Sequence, residues 1–216
     1  MKKLLFIIAM MLPMFVFIEC TGKKNVNAIK TKKPTEQLTI FLNQCLLEHP
    51  NALNNEVTRT ILADTIRERL LKFQNDTLPI LSNLPMRYEG CMQYPERVFE
   101  TFETEYDKNA GKYVVKFSFG EYSSKIKLSS KFESTFQVFT ILDKETVGKL
   151  VDGDLYNING KFRDFANNTQ KTGFVLPNRK CIVDYPRVIS INNTPYINLG
   201  TLVIDDLSFS KFNNQE

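Results

Sequence analysis

The chain has 216 residues, enough for one sizeable domain with appendages. Its 43% apolar and 24% charged content is ordinary for a globular protein, so a packed core is expected. The formal net charge of +4 is too mild to argue for nucleic acid by charge alone.

Met1 to Cys20 reads as a targeting segment, outside the fold. Lys2 and Lys3 precede an apolar run from Leu4 to Ile18, which is interrupted by Pro13. The run is short of the roughly 20 residues that a spanning helix needs. Cys20 follows it, and then the polar stretch Thr21-Gly22-Lys23-Lys24. This arrangement resembles a bacterial lipoprotein signal, which implies lipid attachment at Cys20 and a partner in the membrane. Ile18 and Glu19 stand where such signals carry small residues, so an uncleaved or differently cleaved anchor is the second reading. Residues 21–33 are rich in Lys and Asn without an apolar period and read as a flexible tether.

Residues 34–75 read as a two-helix element. Thr35 is placed to cap a helix in which Leu38, Phe41, Leu42, Cys45 and Leu46 follow an amphipathic period. Pro50 ends it. Asn54 or Asn55 caps a second helix with the stripe Leu62, Ile66, Leu70 and Phe73. Arg67, Glu68, Arg69 and Lys72 are expected on its solvated face. Cys45 reads as a small buried hydrophobe. Export permits a Cys91–Cys181 bridge without establishing one.

From Leu81 the apolar period changes to two. Met86–Tyr94 is expected as an irregular strand. Val98–Tyr106, Tyr113–Phe119, Ser124–Leu128 and Thr135–Leu142 are expected as clearer ones, the last central because both faces are apolar. Lys144–Val151 reads as a short helix. Asp152-Gly153-Asp154 is a turn, and a bent strand then runs to Phe165 around Gly160. Ala166–Pro195 is turn-rich, with fragments at Gly173–Leu176, Cys181–Tyr185 and Val188–Asn192. A final strand, Tyr196–Ile204, is extended by Leu207–Phe212.

The strand order, the short helix and the Leu150, Gly153-Asp154, Tyr156, Ile158, Gly160-Lys161 pattern resemble the OB-fold. The likeness is closest to exported bacterial OB-fold lipoproteins whose domain is similar to a tRNA-anticodon-binding one. The expected fold class is α+β: a two-helix element, then a mainly antiparallel OB-like β-barrel over 84–212. The resemblance implies binding on the face of the second and third strands, between two loops. The first loop supplies Tyr106, Lys108 and Lys112; the second supplies Lys171, Arg179, Lys180, Tyr185 and Arg187. Cations beside rings suit an anionic glycan or a single-stranded nucleic acid. The same aromatics also suit a barrel core, and export weakens nucleic acid as the partner. An envelope protein is the other partner class.

Little points to catalysis. His49 is the only histidine and sits at a helix end, which argues against nucleophilic triads and rules out a multi-histidine metal site. No glycine-rich phosphate loop appears, and no cofactor is expected. Asp205-Asp206 is the one pair that a hydrolase-like reading would use. A solvated turn or bulge at a strand end is the favoured reading of it. The chain thus reads as a non-catalytic envelope lipoprotein with a binding or assembly domain.

Overall fold

The computed structural model describes residues 35–52, 54–94, 109–120, 132–166, 185–191 and 194–213. All of them belong to one compact unit, residues 32–216. Cys20, the tether, and the expected strands Val98–Tyr106 and Ser124–Leu128 lie outside the described residues, as do the fragment Gly173–Leu176 and Cys181.

Helix α1 spans Glu36–Glu48 and buries Leu38, Leu42 and Cys45. Thr35 occupies the N-cap position, but its side chain makes no capping bond. Burial pushes the Cys45 thiol pKa up. Helix α2 spans Glu56–Leu71 and buries Leu62, Ile66 and Leu70. Its cap is Asn55, whose Oδ1 accepts from the backbone N–H of Val57 at 2.9 Å and of Thr58 at 3.3 Å. A short helix α3, Lys144–Val147, is capped by Asp143. The expected solvated α2 face holds for Glu68 and Lys72, which are exposed, but not for Arg67 and Arg69. Arg67 lies 4.2 Å over the Tyr185 ring, and Arg69 pairs with Glu48 and reaches Cys45 Sγ at 3.6 Å. Long basic stems cover apolar surface while their heads find partners.

Six strands follow: β1 Pro85–Gln93, β2 Tyr113–Phe119, β3 Glu133–Leu142, β4 Leu155–Phe165, β5 Arg187–Ile191 and β6 Thr194–Lys211. They form one mainly antiparallel sheet in the order β3-β2-β1-β4-β6-β5. A parallel β3–β6 pairing closes five of them into a ring, with β5 attached outside on β6. The molecule is therefore α+β. β1 is irregular for a local reason: its register shifts between Tyr88 and Gly90, where Gly90 takes φ +116°. β6 passes through Asp205-Asp206 without ending, and Asp206 adopts φ +49° in a bulge opposite β4.

One apolar core serves the ring and both long helices. Leu38, Leu42, Leu62, Ile66 and Leu70 join Phe117, Phe136, Ile158, Phe162 and Leu202 in it. A smaller cluster of Tyr94, Val114, Ala166 and Val203 lies apart from it, joined by Phe139 and Ile141. β3 thus buries side chains on both faces, as its composition requires.

Candidate functional site

Lys161 and Arg163 are two residues apart on β4, so they share a face. Lys161 stands opposite Asp205 in the β4–β6 register. The bulge at Asp206 then presents two successive carboxylates to that face instead of alternating them. Arg163 grips Asp205 with both arms, Nε to Oδ2 at 2.7 Å and Nη2 to Oδ1 at 2.6 Å. Lys161 Nζ donates to Asp206 Oδ2 at 2.7 Å. That bond and charge hold the Asp206 carboxyl below the usual carboxylate range and raise the Lys161 ammonium pKa.

These four residues form one side of an open cleft of about 470 Å³. The other side comes from the turn before β2 and the end of β3: Asn109, Lys112, Thr140 and Ile141, with Asn75 at the rim. The Lys112 backbone is fixed at both ends. Its N–H donates to Asn109 O at 3.0 Å, and its carbonyl accepts from Tyr94 N at 2.8 Å. Its side chain is half-buried and has no ion-pair partner among the described residues. The cleft thus combines one uncommitted cation with two ion-paired carboxylates, and no aromatic ring lines it among the described residues.

Of the residues expected from sequence, Lys112 lies in this cleft. Tyr185 is engaged in packing. Its ring meets Phe165 edge-on at 5.7 Å and carries Arg67 on its face. Arg187 is exposed at the start of β5 and lines a separate groove beside α2. It pairs with Asn198, seven residues before Asp205 on β6, or about 20 Å along a strand. The structure therefore does not bring Lys112 together with Tyr185 and Arg187. Tyr106, Lys108, Lys171, Arg179 and Lys180 lie outside the described residues. Lys161 and Arg163 are cleft residues that the sequence reading did not assign to a site, and Asp205-Asp206, weighed there as a carboxylate pair, was read as a solvated turn or bulge. The bulge was legible, but its partners, more than 40 residues away in sequence, were not.

His49 has a structural engagement. Thr65 Oγ1 donates to Ile61 O at 2.9 Å, so His49 Nε2–H is the donor in its own 2.9 Å bond to that hydroxyl. Among the described residues no three metal-ligating side chains converge. No family model, curated protein or solved structure matches the chain.

Proposed function

We propose that the chain is a non-catalytic, lipid-anchored protein of the bacterial cell envelope whose OB-like barrel binds an acidic oligosaccharide at the Lys112 cleft. The strand connectivity supports the barrel. A β1-β2-β3 meander is followed by a short helix, and the last long strand inserts between β3 and β4 to close the ring. That order supports an OB-like Greek-key reading, in which β5 is an addition before the final strand. Asn109 and Lys112, just before β2, and Thr140 and Ile141 of β3 line the cleft, which supports likening it to the site between the first two strands that OB-folds use for oligomeric ligands.

The observation that carries the ligand class is Lys112 set against two carboxylates already held by Lys161 and Arg163. Lys112 offers a cation to a sugar carboxylate. The remaining lone pairs of Asp205 and Asp206 accept hydrogen bonds from sugar hydroxyls. A single-stranded nucleic acid would want stacking rings, and among the described residues none lines the cleft. The solitary histidine, bound to Thr65, supports a binding role over a hydrolytic one.

The test is titration of the protein with an oligogalacturonate, a neutral oligosaccharide of equal length and oligo-dT. The uronate should bind with a shallow salt dependence, and Lys112→Ala should weaken it tenfold or more, since a hydrogen bond to a charged group contributes about 1.5–3 kcal/mol. Tighter binding of oligo-dT with a steep salt slope would replace the glycan by nucleic acid.

A further inference from the structure

Ring closure gives each of β1, β2, β3 and β4 two hydrogen-bonded neighbours, and β6 has three. β5 has only β6, and its other edge is open among the described residues. The register identifies the groups on that edge. Opposed residues in an antiparallel pair alternate between exchanging both backbone bonds and pointing them away. Ser190 faces Pro195, which has no N–H, so theirs is the non-bonded kind of pair. Ser190 and, two residues earlier, Val188 therefore turn their N–H and C=O groups outward. β5 contains neither proline nor lysine, the usual guards of an edge, and Ile189 stands 49% exposed on it.

Beside this strand runs the N-terminal half of α2, across a groove of about 450 Å³. The helix contributes Glu56, Ala63 and Asp64, and the strand contributes Arg187, Ile189 and Ser190. Glu56, Asp64 and Arg187 have no ion-pair partner among the described residues. The groove therefore offers backbone groups of β5 that have no partner strand among the described residues, apolar contacts at Ala63 and Ile189, the acids Glu56 and Asp64 with Arg59 between them on the helix wall, and Arg187 at the strand's start.

We propose that this groove takes an extended peptide from a partner protein, added to β5 as a further strand. Backbone bonds to Val188 and Ser190 supply the pairing. Side chains that alternate between apolar and polar fit Ile189 and Ala63 on one face. A basic residue meets Glu56 and Asp64, and an acidic one meets Arg187. The proposal is independent of the Lys112 cleft, which shares no lining residue with this groove.

The test uses full-length protein in detergent and a fluorescent, capped heptapeptide of alternating valine and threonine with lysine at one end and glutamate at the other. A second peptide carries N-methyl groups on alternate amides, which blocks strand pairing and keeps every side chain. The first should bind, and the methylated one should bind at least tenfold more weakly. Ser190→Pro removes an outward N–H and should also weaken binding at least tenfold. The surface double variant Glu56→Lys/Asp64→Lys should do the same, and it keeps the test sound if the proline variant unfolds. Equal binding of the methylated peptide, or unchanged affinity in the charge-reversed variant, would overturn the proposal. So would absence of binding up to millimolar peptide, or sedimentation showing the edge consumed by a second copy of this chain.

Discussion

A side chain at position 160 has nowhere to go. The Cβ direction of Gly160 runs into the Ile204 side chain, and a methyl there would sit 2.7 Å from the carbonyl oxygen of Asp205. The backbone angle is not the constraint, since Gly160 has no positive φ; the close approach of β6 is. Gly160→Val should therefore loosen β4 from β6 and lower stability by about 1–3 kcal/mol or more, as overpacking does. Thermal unfolding of the purified variant measures it. A variant that unfolded like wild type and lost only glycan binding would assign Gly160 to the ligand. This requirement was legible in sequence as a glycine inside an apolar alternation. The ion pairs around it were not. Lys161–Asp206 and Arg163–Asp205 join positions 45 and 42 residues apart, and no local period encodes which lysine meets which aspartate. Tyr185 shows the converse error. An aromatic beside basic residues in a loop suggests a ligand platform, yet its ring is taken up by Phe165 and Arg67.

At the scale of elements, periodicity carried most of the information. A stripe at i, i+4 and i+8 on α2 has to be covered, and the ring's core covers it: Leu62, Ile66 and Leu70 are fully buried. The next positions on the same helix provide an internal control, because Val57 and Ile61 are exposed. Ile66→Ala should cost about 2–5 kcal/mol, the range for a large core side chain cut to a methyl. Ile61→Ala should stay within about 0.5 kcal/mol, as surface changes do. Urea unfolding midpoints of the two variants compare them directly, and equal shifts would refute a core shared by helices and ring. Strand pairing was less legible than strand existence. The period marks β3 as buried on both faces, but it does not say that β3's second neighbour is β6 or that the two run parallel. That pairing closes the ring and, among the described residues, leaves β5 as the open edge.

At the scale of the whole molecule, the function proposed for the domain depends on where the chain holds it. Two lysines, an apolar run of 15 residues, Cys20 and a polar tether form a constellation that a lipid anchor accounts for as a unit. Among the described residues no helix is long and apolar enough to cross a membrane. In the proposed route the apolar run engages the export machinery, the Cys20 thiol takes a diacylglyceryl group, and the amine freed by cleavage takes a third chain. Each buried methylene contributes about 0.8 kcal/mol, so two or three chains hold a protein of this size at a bilayer stably. Glu19 is the feature that opposes it, since a charge beside the cut disfavours a peptidase that prefers small residues. Labelling with a radioactive fatty acid in a bacterial host decides the matter. Wild type should incorporate the label and partition with membranes, while Cys20→Ser should remain unlabelled. A Glu19→Ala variant should be processed at least as fast as wild type. Unlabelled wild-type protein recovered wholly in the soluble fraction would remove the anchor and leave an ordinary secretory signal. The proposed glycan cleft and peptide groove would then act in free solution instead of at a surface.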